Sequence, residues 1–147
     1  MTGSAYREST DRLAGMLMRQ AAWPAALVVA ANVLTPLAAS ARGAFETWPA
    51  AVALSLAAAS AVAVLALSAL LAFDALLFRL MASHDDETSG GAAVDDILAG
   101  MRLKRLPPFT RSLDERMAGT RRLLTRQRAA LGLFVAMLLA AGFWAPR

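Results

Sequence analysis

The chain has 147 residues, a length that allows one domain or one domain with a modest appendage. Apolar residues make up 58% of it and charged residues 18%, whereas soluble domains have roughly 45–50% and about 25%. Cysteine is absent, which excludes disulfides, thiolate chemistry and cysteine-bound metals, and the net charge of +4 is concentrated in a few segments.

Three long runs of the sequence carry no charged residue. They span residues 20–41, 47–73 and 129–146, and contain 22, 27 and 18 residues. A helix needs about 20 mostly apolar residues to cross a hydrocarbon core of ~30 Å, so all three runs qualify, the last only just. We therefore predict an all-α membrane protein with three transmembrane helices and a helical cytoplasmic loop between the second and third.

The first element is a cytoplasmic N-terminal segment, residues 1–20, followed by transmembrane helix 1 at 21–41. We expect this run to be retained as a span, because it exceeds the about 7–15 apolar residues of a signal peptide. Pro24 lies near the start of this helix, where proline is tolerated. Pro36 removes a backbone hydrogen bond, which predicts a kink near Asn32.

A short outer turn at residues 42–49 leads into transmembrane helix 2 at 50–73. The chain then enters a basic cytoplasmic loop, residues 74–128, which begins with a polar, glycine-ended stretch at 83–91. An apolar stripe at i, i+3, i+4 and i+7 predicts a short amphipathic helix after that stretch. The stripe consists of Val94, Ile97, Leu98 and Met101.

A capping-box pattern, S-x-x-E at residues 112–115, marks the start of the last helix. No helix breaker follows before Pro146, so we predict one continuous helix from Leu113 to Trp144. Its first half is basic and lies in water. Its second half, residues 129–145, forms transmembrane helix 3.

The distribution of Lys and Arg predicts the orientation of the three spans. The N-terminal segment and the 74–128 loop together hold thirteen basic residues, while the outer turn and the C-terminus hold two. Positive charge favours the cytoplasmic side, so we expect a cytoplasmic N-terminus and a periplasmic C-terminus. The abundance of Ala, Leu and Arg suggests a bacterial source, and hence the bacterial inner membrane.

The basic half of the last helix is the main candidate for a docking site. Leu113, Met117, Thr120, Leu124, Gln127 and Leu131 follow the alternating four- and three-residue steps of a coiled-coil seam. We assign partner or lipid docking to the apolar residues of this seam and to the arginines around them. These residues are Leu113, Arg116, Met117, Arg121, Arg122, Leu124, Arg126 and Arg128.

Three interpretations of this basic helix stay open. It is a solvated positive-inside segment, a collar that binds anionic lipid headgroups, or a docking helix for an acidic protein. Nucleic acid is not expected as a partner, because Phe109 is the only aromatic residue between Arg102 and Arg128 that could stack on bases.

Small and polar residues within the spans are candidates for helix packing. Gly132, Ala136 and Ala140 form a ladder on the last helix, which allows close approach of a helix from the same bundle or from a partner. A second ladder, Ala53, Ala57 and Ala61, lies on helix 2. We expect Asn32 to hydrogen-bond a neighbouring helix. Asp74 is placed at the cytoplasmic interface, close enough to Arg79 to share its charge.

Residues that could carry out catalysis or hold a cofactor form no recognisable pattern. His84 is the only histidine and stands beside Asp85, Asp86 and Glu87 without the paired spacing of a metal site. No pairing of a nucleophile with a base is evident. We therefore expect neither enzymatic activity nor a cofactor.

These observations favour a non-catalytic accessory, assembly or scaffold subunit of a bacterial inner-membrane complex, acting through helix packing and the basic docking helix. The expected partners are membrane lipids with anionic headgroups, and other membrane protein subunits or a further copy of the chain. The alternative is a small homo-oligomeric channel, holin-like or transport component, with Asn32 and Asp74 lining a shared pathway.

Overall fold

The computed structural model describes residues 3–41, 47–84, 86–100 and 113–144 of the chain, and throughout these residues the regular structure is helical. The helices are α1 (Gly3–Ala41), α2 (Trp48–Ala82), α3 (Glu87–Gly100) and α4 (Leu113–Trp144). Helices α1, α2 and α4 are long and apolar enough to cross a membrane. The predicted all-helical class is confirmed, and the three long apolar helices fit a multi-pass membrane protein.

Helix α2 is the centre of the bundle. Helices α1 and α4 pack along most of its length but touch each other at few positions, and α3 packs on the C-terminal part of α2. We call the end where α1 and α4 begin the basic end, because Arg7, Arg12, Arg19 and Arg79 lie there. The opposite end, where α2 begins, is called the turn end.

Buried positions in the long helices recur with a period of 3.5 residues. In α4, Thr120, Gln127, Phe134 and Ala141 are all buried and stand seven residues apart. The seam predicted up to Leu131 therefore continues ten residues further, through the apolar half of the helix. In α1 the buried positions also follow alternating four- and three-residue steps. They are Thr10, Ala14, Leu17, Ala21, Pro24 and Val28, followed eleven residues later by Ala39. This period is that of helices wound around each other with a left-handed twist.

The core consists of two large clusters of buried side chains and a small third one, formed by Ala39 and Ala50 near the turn end. The cluster at the basic end combines large residues from three helices: Leu17, Leu71, Phe78, Met81 and Val94. The cluster in the apolar half packs the ring of Phe134 against Ala57 and Ala61 of α2 and Val28 of α1. Ala53, Ala57 and Ala61 are each no more than 3% exposed, so the alanine ladder of α2 is an internal packing surface.

The helices are longer than a bilayer requires. Helix α1 has 39 residues and α2 has 35, which correspond to roughly 58 Å and 52 Å of helix. Residues 3–20, which belong to the predicted N-terminal segment, form the continuous start of α1. Consequently Pro24 lies in the interior of a helix and not near its start. The bundle extends beyond the ~30 Å hydrocarbon core at the basic end.

Helix α3 begins inside the stretch that the sequence analysis assigned to a polar loop. The Asp86 carboxylate Oδ1 accepts a hydrogen bond from the Ser89 backbone N–H at 2.8 Å, the arrangement of an N-cap residue. This bond holds the pKa of Asp86 below its ordinary value. Val94 is fully buried, as its place in the apolar stripe predicts, while Ile97 is 38% exposed. Met101 lies outside the described residues.

Replacing the cap, Asp86→Ala, should fray the first turn of α3 and increase amide hydrogen exchange at Ser89. The folded-state pKa is lowered, so the carboxylate stabilises α3 at pH values above about 3.9, the ordinary pKa of aspartate, and this contribution is lost as the pH falls through the lowered value. Hydrogen exchange followed by mass spectrometry measures both effects. Asp96→Ala, at an exposed position in the middle of α3, is the control and should leave exchange at Ser89 unchanged.

Candidate functional site

A buried polar junction connects α1, α2 and α4. The Gln127 side chain of α4 is only 2% exposed. Its Nε2 donates one hydrogen bond to the Ser68 Oγ of α2 at 2.7 Å and another to the Gln20 carbonyl oxygen of α1 at 3.3 Å. The neighbouring Arg128 donates from Nη2 to Gln20 Oε1 at 3.2 Å. One layer of side chains therefore ties all three long helices together.

Pro24 explains why the Gln20 carbonyl accepts a bond from another helix. In a regular helix the N–H of residue 24 bonds the carbonyl of residue 20, but proline has no N–H to donate. The carbonyl of Gln20 is thereby left without a partner in its own helix. A buried, unpaired carbonyl costs free energy, and the Gln127 carboxamide relieves that cost from α4.

The distance from the junction to the turn end is similar to the thickness of a hydrocarbon core. Ser68 follows Trp48 by 20 residues and Gln127 precedes Trp144 by 17, which are about 30 Å and 26 Å of helix. Trp48 and Trp144 lie together at the turn end, where Thr47 Oγ1 donates to the Trp144 carbonyl at 3.3 Å. The polar layer therefore lies about one hydrocarbon thickness from the tryptophans of the turn end.

A second tie between α2 and α4 lies nearer the basic end. The Thr120 hydroxyl donates to the Asp74 carboxylate Oδ2 at 3.0 Å, and Thr120 is 5% exposed. Arg79 stands five residues after Asp74, about 140° around the helix. The partner of Asp74 shown by this bond is therefore a residue of α4 and not the arginine expected from the sequence.

These hydrogen bonds set the rotation of α4 about its own axis. As a result, some of the predicted docking residues pack against the core and others are exposed. Met117 and Leu124 are half-buried and pack against the core cluster at the basic end. The predicted arginines that the structure describes are all exposed: Arg121, Arg122, Arg126 and Arg128. Of these, Arg128 also donates a hydrogen bond to Gln20 of α1. The side chains of Leu113 and Arg116 lie outside the described residues.

The residues predicted to pack the spans against other helices, the Gly132 ladder and Asn32, differ in what surrounds them. A Cβ added at Gly132 would meet nothing within 4 Å, and Ala136 is exposed while Ala140 is half-buried. The Gly132 ladder therefore contributes no close internal contact at its glycine. Asn32 donates from Nδ2 to the Val28 carbonyl at 2.8 Å, a bond within its own helix.

The two residues expected to line a pathway in a channel do not share a site. Asp74 bonds α4 near the basic end, whereas Asn32 lines a groove in the apolar half of the bundle. In the part of the chain that the structure describes, no group of three or more His, Asp or Glu side chains could hold a metal ion. His84 Nδ1 lies 3.0 Å from the Leu80 carbonyl of the preceding helical turn.

Sequence reasoning singled out Gln127 as a polar member of the seam but did not identify Gln20, Ser68 or Pro24 as parts of one site. A signal for Gln20 was present, since it stands four residues before a proline inside a helix. Ser68 offered no comparable signal, because a serine in an apolar helix can equally bond its own backbone, as Ser60 does with the Leu56 carbonyl at 2.8 Å.

Comparison with family models, with curated proteins and with solved structures finds no match to this chain.

Replacing Gln127 with methionine, which has a similar shape, should destabilise the bundle by about 1–3 kcal/mol, because the Gln20 carbonyl and the Ser68 hydroxyl lose their donor. The structure makes a sharper prediction for the Pro24→Ala background. Alanine restores the N–H that bonds Gln20, so Gln127→Met should cost about 1 kcal/mol less there. The wild type, the two single variants and the double variant form a double-mutant cycle. Their free energies of unfolding in mixed micelles measure the coupling between the two positions. Equal costs in the two backgrounds would show that Pro24 is not the cause of the bond.

Proposed function

We propose that the chain is a non-catalytic accessory, assembly or scaffold subunit of a bacterial inner-membrane complex. It presents the outward arginines of α4 to its surroundings at the membrane border. The observation that carries this proposal is the division of α4 into two faces. One face of the helix packs into the bundle's own core, while Arg121, Arg122, Arg126 and Arg128 remain exposed.

The rigidity of α4 supports a docking role for these arginines. The helix is continuous from Leu113 to Trp144, and its hydrogen bonds to Ser68, Asp74 and Gln20 prevent it from rotating. The charges are thus held at a constant distance from the apolar half. A preorganised backbone of this kind favours recognition, because only the arginine side chains lose conformational entropy when a partner binds.

The arginines divide into two levels by their distance from the polar junction. Arg126 and Arg128 stand next to Gln127 in the chain, at the level where lipid headgroups begin. Arg121 and Arg122 lie roughly 8–9 Å further from the apolar half. We assign the nearer pair to anionic lipid, which contributes about 1 kcal/mol per arginine close to the surface. The outer pair is assigned to an acidic partner protein.

The orientation that this function requires has the basic end in the cytoplasm. It rests on the excess of thirteen basic residues over two on that side. Because the chain has no cysteine, single cysteines report topology cleanly. A membrane-impermeant maleimide applied to intact cells should label Thr47→Cys and should leave Ser89→Cys unlabelled until the cells are opened. Labelling of Ser89→Cys in intact cells would reverse the orientation.

The docking role is tested by neutralising the two levels separately. Arg121→Gln/Arg122→Gln should weaken, by roughly 5- to 150-fold, the association with a protein that co-isolates at constant stoichiometry with the wild-type chain in native lipid nanodiscs. Quantitative mass spectrometry of the isolated discs measures it. The two lost charge-assisted contacts are worth about 1–3 kcal/mol in total, which accounts for a weakening of this size.

The matched control is Arg126→Gln/Arg128→Gln, which removes the same charge one to two helical turns nearer the membrane, together with the exposed hydrogen bond from Arg128 to Gln20 Oε1. It should retain the partner protein and instead reduce the anionic lipid in the discs. A wild-type chain that is isolated without any stoichiometric protein would contradict the subunit role. Equal loss of the protein in both double variants would contradict the assignment of two levels.

A further inference from the structure

A groove opens in the apolar half of the bundle, where α1 and α4 do not meet. Its walls are Asn32, Thr35 and Pro36 on one side and Phe134 and Leu138 on the other. Leu54, Ala57 and Ala58 of α2 also line it. The volume is about 150 Å³, a space of the size that accepts a benzene-sized group in other proteins. In a bilayer such a groove is open to whatever helix or lipid lies beside it.

Polar groups without a full set of partners line this groove. Pro36 has no N–H, so the Asn32 backbone carbonyl loses the bond that residue 36 would otherwise donate. The Asn32 Nδ2 uses one hydrogen for Val28, which leaves its second hydrogen and its Oδ1 for another partner. Within the described residues no side chain donates to the Asn32 carbonyl or Oδ1. A hydrogen-bond donor is therefore required at this place.

The depth of Asn32 restricts what can supply the donor. It stands nine residues from both Trp23 and Ala41, about 13 Å from either end of the membrane part of α1. Acyl chains carry no donor, and headgroup donors lie too far away to reach the middle of the hydrocarbon. A polar side chain on another transmembrane helix meets the requirement.

We propose that a second copy of the chain occupies this site, with the two α1 helices crossing at Asn32 about a two-fold axis normal to the membrane. Copies inserted in the same direction hold Asn32 at the same depth, and a carboxamide is self-complementary. Each Asn32 donates its second Nδ2 hydrogen to an oxygen of the other Asn32, so that both copies gain a bond.

The apolar surface beside Asn32 fits this arrangement. Val29 and Val33 flank Asn32 on α1 and are 52% and 64% exposed. In the dimer these side chains contribute to filling the groove of the other copy. The surface is separate from the arginines of α4, so the proposal is independent of the docking role argued above.

Disulfide cross-linking in native membranes tests the geometry, since an introduced cysteine is the only one in the chain. Val29→Cys lies about one turn from Asn32 and should form a dimer of this chain on mild oxidation, because cysteines with Cα atoms within about 7 Å can join. The control is Val62→Cys, a 67% exposed valine of α2 at similar depth, which should remain monomeric. Equal cross-linking of both, or cross-linking of Val29→Cys to a protein of different mass, would overturn the proposal.

Energy transfer between labelled copies in liposomes measures the affinity of the dimer. Asn32→Leu should weaken dimerisation roughly 9- to 900-fold, because both reciprocal hydrogen bonds are lost and each is worth roughly 3- to 30-fold in a membrane. The monomer should still fold, because the Val28 carbonyl keeps its helical bond from the backbone N–H of Asn32. An unchanged affinity would overturn the proposal.

A second variant fills the groove without altering Asn32. Ala58→Phe places a ring of suitable size in the space and should also prevent dimerisation, whereas Ala63→Phe, at an exposed position of α2 that does not line the groove, should not. Circular dichroism and the Tm of each variant confirm that the bundle is intact. Dimerisation of Ala58→Phe at wild-type affinity would show that the groove is not the interface.

Discussion

The bond between the Gln127 carboxamide and the Gln20 carbonyl is the interaction on which the arrangement of the three long helices depends. Pro24 creates the need for it by removing the donor that a regular helix would provide, and α4 meets that need from outside. Ser68 accepts the second hydrogen of the same amide. At the border of the hydrocarbon, where an unpaired carbonyl is costly, this bond joins α1 to α4 and holds both against α2.

The same layer determines how α4 faces its surroundings. Because Gln127 and Thr120 point into the bundle, the arginines of α4 are left exposed, and of these only Arg128 has a hydrogen bond to another described helix, at Gln20 of α1. Sequence periodicity alone leaves open whether a seam binds its own bundle or a partner. Here the polar members of the seam, which would weaken an isolated coiled coil, are the groups that make specific bonds to α1 and α2.

The two halves of the bundle are stabilised by different physics. At the basic end, large side chains such as Leu17, Phe78 and Met81 are removed from water, so the hydrophobic effect favours burial. In the apolar half, lipid is as apolar as the side chains and the effect vanishes. Packing there depends on close approach, which the alanine ladder of α2 allows around the ring of Phe134.

Composition and periodicity by themselves determined the helical class, three potential membrane-crossing helices, the bounds of α4 and most of its seam, because each depends on residues close together in the chain. They placed Pro24 near the start of a helix, treated the start of α3 as a loop, and left the role of the Gly132 ladder open. Only the tertiary structure decided which carbonyl Gln127 bonds, which small-residue ladder packs internally and which way the arginines face. These outcomes depend on how helices distant in sequence meet, and a local pattern marks the face that a helix buries without indicating which residues of other helices that face contacts.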